Sequence, residues 1–240
     1  MILPRFLYRA YRAKLRDERS EISLITQHVN KGDFAVDVGA NKGSFLYWLR
    51  RSVGKTGKVI AFEPQPELCK YLKRICMSLK WENVEIKQAA ASDANGTSTL
   101  FVPSNQPSPA ASLIEPSGNV KELHAVECET VTLDSVLGQK GKVNFIKIDV
   151  EGFEKSVFGG AASILAKWKP DLLFECECRH IGKDNVAGVT EPLLQLGYDG
   201  QFISPDGLKP ISVFDPKNHQ GTHWDSKEYC NNFFFSSKSR

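Results

Sequence analysis

Phe34-Ala-Val-Asp37-Val-Gly39-Ala40-Asn41-Lys-Gly43 decides the fold. An apolar run leads into an acid and two glycines, and an amphipathic helical pattern follows, so the order is strand, glycine turn, helix. Nucleotide-type ligands sit on such turns, because glycine lets the backbone come close and the helix N-terminus offers free N–H groups. Twenty residues beyond Gly43, Glu63 ends a second apolar strand, Lys58-Val-Ile-Ala-Phe62. A carboxylate there is placed to accept hydrogen bonds from both hydroxyls of a ribose.

The charge pattern selects the nucleotide. The glycine spacing is G-x-x-x-G and not the dinucleotide G-x-G-x-x-G, and Asp37 stands two residues before the first glycine. A pyrophosphate would meet Asp37 as a like charge. S-adenosylmethionine brings an ammonium and a sulfonium and no phosphate, so an acid at the mouth of the turn favours it over NAD. After a short strand at 84–87 comes Ala89-Ala-Ala-Ser92-Asp93. Small side chains leave room for a flat base, and Asp93 either accepts the exocyclic amine of adenine or forms the turn before Asn95-Gly96.

Four blocks, Asp37-Val-Gly-Ala-Asn41-Lys-Gly43, Val59-Ile-Ala-Phe-Glu63-Pro64, Ala91-Ser92-Asp93 and Lys147-Ile-Asp149-Val-Glu151-Gly152-Phe-Glu154, together resemble the FkbM family of S-adenosylmethionine-dependent methyltransferases. The resemblance runs from roughly residue 30 to residue 200. It implies S-adenosylmethionine as cofactor, held by Asp37, Gly39, Ala40, Asn41, Gly43, Glu63, Pro64, Ser92, Asp93 and Asp149. The departures fall at 103–125 and 205–230, where the acceptor would be recognised, so the resemblance speaks to the cofactor more than to the acceptor.

Strands alternate with helices along the chain, which predicts an α/β fold, a mostly parallel sheet with helices on both faces. Expected strands are 34–38, 58–62, 84–87, 143–149, 171–177, 198–204 and 231–236. Expected helices lie near 20–29, 43–52, 66–79, 153–166 and 186–196. Seven strands resemble the Rossmann-like class I methyltransferase sheet, closed by an antiparallel C-terminal hairpin. Within this domain, 31–240, residues 97–132 form an insertion. Its two ends, 97–102 and 125–132, alternate as half-buried antiparallel strands do. The segment between them carries Pro103, Pro107 and Pro109 and suits neither helix nor central strand. It reads as a substrate lid, with Ser112 facing the acceptor.

Residues 1–30 form a basic helical extension, with Arg5, Arg9, Arg12, Lys14 and Arg16 beside Phe6, Leu7, Tyr8, Tyr11 and Leu15. Such a helix packs across its own domain, pairs with a second subunit as a homodimer contact, or lies on an anionic membrane. A net charge of +3 does not by itself suggest nucleic acid, and no run of 18 apolar residues spans a membrane. Six cysteines without a C-x-x-C pair read as reduced thiols of a cytoplasmic protein, and the first 16 residues lack a signal-peptide core.

Catalytic candidates gather at strand ends, where open α/β sheets bind ligands. Lys147, Asp149 and Glu151 alternate onto one side. Asp149 is the candidate general base, Lys147 would tune it, and Glu154 fits a helix cap. On strand 171–177, Glu175 and Glu177 share a face and are followed by Arg179 and His180. These four line an acceptor pocket, hold a divalent ion or form a structural ion-pair cluster, and His180 competes with Asp149 as base. The pair His219 and His223 lacks the rest of a zinc site, and no metal is expected. His124 is either surface or pocket. The function expected is O-methylation of a small-molecule or glycan hydroxyl. N-methylation of protein or RNA and a non-catalytic binding protein are the alternatives.

Overall fold

The computed structural model describes residues 2–103, 107–115, 122–181, 185–221, 226 and 228–237. The strands are β1 (Phe34–Val38), β2 (Lys58–Phe62), β3 (Val84–Lys87), β4 (Ala90–Ala91), β5 (Gly96–Val102), β6 (His124–Val131), β7 (Phe145–Ile148), β8 (Asp171–Glu175), β9 (Tyr198–Ser204), β10 (Gly207–Pro210) and β11 (Asn232–Ser237). Eight of them form one sheet in the order β10-β9-β11-β8-β7-β1-β2-β3, and β4-β6-β5 form a second, small sheet. The parallel core, β8-β7-β1-β2-β3, carries apolar runs because both faces are covered.

The α/β class and the insertion strands agree with the sequence reading, but the C-terminal strands differ from it. Strands β9 and β11 do pair antiparallel, yet they are not a hairpin. The hairpin partner of β9 is β10, which makes eight strands where seven were expected. The overlooked signal is Pro205-Asp206-Gly207, a turn sequence directly after β9.

Helices α1 (Leu3–Arg12) and α2 (Arg19–His28) are joined by a π-helical segment, Ala13–Asp17. They pack with α3 (Ser44–Val53) on one face of the sheet, over Ala35, Val59, Phe145, Leu173 and Phe234. Phe6 and Ala10 are buried, and the Trp48 indole N–H donates to the Ala10 carbonyl at 2.9 Å. The basic extension therefore packs across its own domain. Next come α4 (Pro66–Ser78), α5 (Leu133–Leu137), α6 (Glu154–Gly159) and α7 (Ala162–Trp168). They are followed by α8 (Cys178–Ile181), α9 (Asn185–Gln195) and α10 (Pro216–His219). The helix expected over 153–166 is two helices, broken beside Gly159-Gly160 where the backbone runs against the Ser92 carbonyl.

Alternation along the strands sets up the site. Val36, Ile60, Ile146 and Leu172 enter the core of one face. Ala35 and Phe145 enter the core under α1–α3, and Asp37 and Lys147 follow them at the ligand end in the same parity. The register pairs Asp37 directly with Lys147.

Candidate functional site

A cleft enclosing about 630 Å³, part of it open, lies beyond the carboxyl ends of β1, β2 and β7. Gly39, Asn41, Glu63, Pro64 and Asp149 line it, with Ala89, Ala90 and Ala91 forming a flat apolar wall. Gly39 adopts φ +78°, and a Cβ there would lie 1.8 Å from the Asp149 carbonyl oxygen. The glycine thus lets the β1 turn close against the β7 end, a role the turn motif alone did not reveal. Asn41 holds φ +46° and donates its N–H to Glu63 Oε2 at 2.7 Å. Glu63 Oε1 accepts from the Gln65 N–H at 2.9 Å. Burial nonetheless raises the Glu63 carboxyl above its ordinary value.

A strap closes this cleft. Gln65 donates through Nε2 to the Ser108 carbonyl and accepts the Ser108 N–H through Oε1, each at 2.9 Å. Further along, Ser112 bridges to Phe101 of β5, and its hydroxyl donates to the Glu151 carbonyl at 2.9 Å. Ala111 and Leu113 pack on the small sheet. Residues 107–115 therefore lie against the cleft, held at Gln65 and at the Glu151 carbonyl. Residues 104–106 and 116–121 of that loop lie outside the described residues.

Beneath the turn sits an ion cluster. Asp37 is fully buried, and neither of its carboxylate oxygens has a hydrogen-bond partner. Lys147 Nζ lies 3.9 Å from Asp37, 3.3 Å from Asp149 Oδ2 and 4.6 Å from the centre of the Phe45 ring. Desolvation pushes Asp37 up to about 6 even though Lys147 opposes the shift. For Lys147, burial acts downward, but Asp149 and then Asp37 outweigh it and the amine is raised. Asp37 is thus placed below the mouth of the turn, not at it. Asp149 stays a third exposed and lines three adjoining clefts.

On the far side of Asp149 the acids are linked to one another. Glu175 and Glu177 share a hydrogen bond. Burial, then Asp149, pushes Glu175 up to about 10, while Glu177 is lowered by Glu175, Asn231 and Arg179 against its own desolvation. Glu177 is buried and accepts from Asn231 at 2.7 Å, Tyr229 at 3.2 Å and Arg179. Glu151 holds φ +52° and is pushed up to about 7 by burial and then Asp149. Its carboxylate lies 3.3 Å from His180 Nδ1, and His180 is lowered by burial and then by Arg179. Gly152, at φ +98°, leaves room for His180, whose Cβ would be 2.8 Å from an added Cβ. A second groove, lined by Phe101, Ser112, Glu151, Arg179 and His180, opens here.

The structure thus brings together Gly39, Asn41, Glu63, Pro64 and Asp149 in one cleft, and Ser112, Glu151, Arg179 and His180 in the next. Glu177 lies beneath the second, paired to Arg179, as the ion-pair reading allowed. Glu175 lines a third opening with Lys147, Asp149 and Glu18. Ala40 lines a fourth with Gly39, Asn41 and Lys42. Gly43 faces Leu72 and Phe6 and not the cleft. Ser92 is buried and bonded to the Asp93 carboxylate at 3.1 Å, and Asp93 is exposed; neither lines the cleft. Glu154 accepts the Gly152 N–H at 3.0 Å, as a helix-capping acid does. His219 accepts the Asp215 N–H and stacks on Phe214; His223 lies outside the described residues. His124, at the start of β6, is exposed. Sequence reasoning missed Glu18, Gln65, Ser108, Tyr229 and Asn231. Glu18, half-buried where α1 turns into α2, is pushed up to about 8 by burial and then by Glu21 and Asp149.

A methyl donor with adenosyl and amino-acid ends fits this chemistry. Small alanines flank room for a base, Glu63 lines the same cleft, and buried Asp37 supplies negative charge. Orphaned polar atoms remain at Asp37 and at Asn41 Oδ1. The model of the Methyltransferase FkbM domain matches residues 37–199. Among solved structures, methyltransferase FkbM from Methylobacillus flagellatus KT aligns with TM-score 0.54 and 17% identity over 85% of this chain. This chain spans 43% of that protein's length. An rRNA methylase from Streptococcus thermophilus aligns with TM-score 0.51 and 12% identity, covering 90% of this chain and 93% of its own. SMU.1697c from Streptococcus mutans, in complex with SAH, aligns with TM-score 0.52 and 10% identity, covering 92% and 97%. At these identities the likenesses establish a shared fold. No curated protein matches the chain by sequence.

Proposed function

The chain belongs to the FkbM methyltransferase family, with S-adenosylmethionine as its methyl donor, and on that premise we propose that it methylates a hydroxyl of a small molecule or glycan. The observation that supports this is Asp149, a half-open carboxylate where the donor cleft meets two further openings. When bound, the cofactor supplies an electrophilic methyl for in-line displacement, in which holding the acceptor in line does much of the work.

Asp149 takes the hydroxyl proton as the new bond forms. Lys147, 3.3 Å from Asp149 Oδ2, fixes the Asp149 carboxylate toward the cleft. Glu63 and the Asn41 turn hold the ribose end, and Ala89–Ala91 hold the base. Glu151, Ser112, Arg179 and His180 line the acceptor groove. Glu175, kept protonated by burial and then by Asp149, gives its proton to Glu177 and so holds the acid pair together beside the site. A second reading makes His180 the base, oriented by Glu151 at 3.3 Å. The five buried cysteines, all unpaired, support a reducing cytoplasmic setting.

Methyl-labelled cofactor incubated with sugars, hydroxylated metabolites and RNA tests the proposal. Label appearing as a base-stable ether, and lost in Asp149→Asn but retained in His180→Gln, is the expected result. Label found only on nitrogen, or no transfer to any acceptor, contradicts it.

A further inference from the structure

The protein's excess charge is confined to one segment. Of the 31 basic and 28 acidic residues, six and three lie within residues 1–21, which leaves 25 of each for the remainder. The first 16 residues contain no acid at all. Helix α1 and the π-helical segment bury Phe6, Ala10 and Ala13 inward. The outward face is not simply polar. Tyr8 is 67% exposed and Leu15 70%, and Tyr11 is also exposed. Arg5 and Arg12, both exposed, lie three or four positions from Tyr8 or Leu15, and exposed Arg16 lies four from Arg12 on the same side.

We propose that this face docks the enzyme onto an anionic lipid surface. Arginines alone would suit any polyanion. An aliphatic side chain left in water amid arginines and tyrosines is the pattern of an interfacial helix, whose apolar side chains enter the acyl boundary while cations meet the headgroups. No helix among the described residues is long and apolar enough to cross a membrane, and the contact proposed here is that of an interfacial helix. The same segment lines the cleft that reaches Asp149, through Arg9, Arg12, Ala13, Asp17 and Glu18. Docking therefore brings a mouth of the site to the interface.

Vesicle flotation of the full chain tests the proposal independently of methyl transfer, using phosphatidylserine-containing and pure phosphatidylcholine vesicles. The protein floats with the anionic vesicles only, and salt weakens the binding. Arg5→Ala and Arg16→Ala each lower partitioning about fivefold, the equivalent of about 1 kcal/mol per basic residue. Leu15→Ser lowers it at constant charge, with an unchanged melting temperature showing that the fold survives. Absence of binding to anionic vesicles at low salt overturns the proposal. So does binding indifferent to Leu15→Ser, tighter binding to single-stranded RNA than to vesicles, or dimerisation through this face with vesicles ignored.

Discussion

The two walls of the site are built by opposite means. The wall proposed for the donor comes from three strand ends, each a short run of sequence: the β1 turn, the end of β2 and the end of β7. Main-chain groups do much of the holding there, as in the Asn41 and Gln65 N–H bonds to Glu63. The wall proposed for the acceptor is held by side-chain bonds between residues 177–180 and residues 229–231. Glu177 alone is met by Arg179, Tyr229, Asn231 and His180. The donor wall carries an isolated buried carboxylate beside one lysine, whereas the acceptor wall spreads its charge over a network of shared protons. A backbone-built wall can serve one constant ligand, while a side-chain network can be rebuilt for different acceptors.

If the walls are separable in this way, substitutions should split into classes. Asp149→Asn should lower transfer by about 10²–10⁴-fold, the range for loss of a general base, while cofactor affinity measured by calorimetry changes only a few-fold. An equal loss in both would merge the two walls. Lys147→Ala strands Asp37 and Asp149 without their cation. It should cost about 3–5 kcal/mol of stability in urea unfolding, whereas a cost below 1 kcal/mol would show that the buried pair is immaterial.

The walls also differ in what they do to the pH profile of the cofactor-free protein. Asp37, at about 6, and Glu151 and Glu154, each at about 7, are acids raised above their unfolded values. Between the two values the folded state holds more protons than the unfolded state, so stability falls as pH rises through that window. Glu18, at about 8, and Glu175, at about 10, add to the same slope, so unfolding free energy should drop by several kcal/mol from pH 5 to pH 8. Glu151→Gln should make the upper part of that slope shallower and leave the parts due to Asp37 and Glu154. A stability that rises across the window would contradict the assignment.

Smaller effects sharpen the contrast further. Gln65→Ala removes both bonds to Ser108 and should weaken cofactor binding about five- to thirtyfold, at about 1 kcal/mol per bond, with little change in turnover at saturation. Glu175→Gln imitates the protonated acid, so turnover should stay within about threefold. A collapse there would mean that Glu175 works ionised.

The same contrast explains what the sequence disclosed. The turn, Glu63 and the Lys147–Asp149–Glu151 alternation were legible, because strand parity and short spacing place them. Depth was not legible. Nothing in Val-Asp37-Val says that the acid lies under the turn, which follows from the pairing of β1 with β7 opposite Lys147. Glu18 lies within Arg16-Asp-Glu-Arg19, a stretch that reads as solvated charge, and reaches the site only through the π-helical turn and the packing of α2. Ser108 sits in a proline-rich stretch without periodicity, so its clamp on Gln65 leaves no local trace. Tyr229 lies within the segment 205–230 and Asn231 just after it, and both meet Glu177 through the long way round β9 and β10.

The most direct measurement is calorimetric titration of the native protein and of Glu63→Gln with S-adenosylhomocysteine, both checked for an unchanged fold by thermal melting. Saturable one-to-one binding by the native protein, weakened at least about tenfold in the variant, is the predicted result. No binding by the native protein, or identical affinity in the two, would contradict the placement of the methyl donor in this cleft.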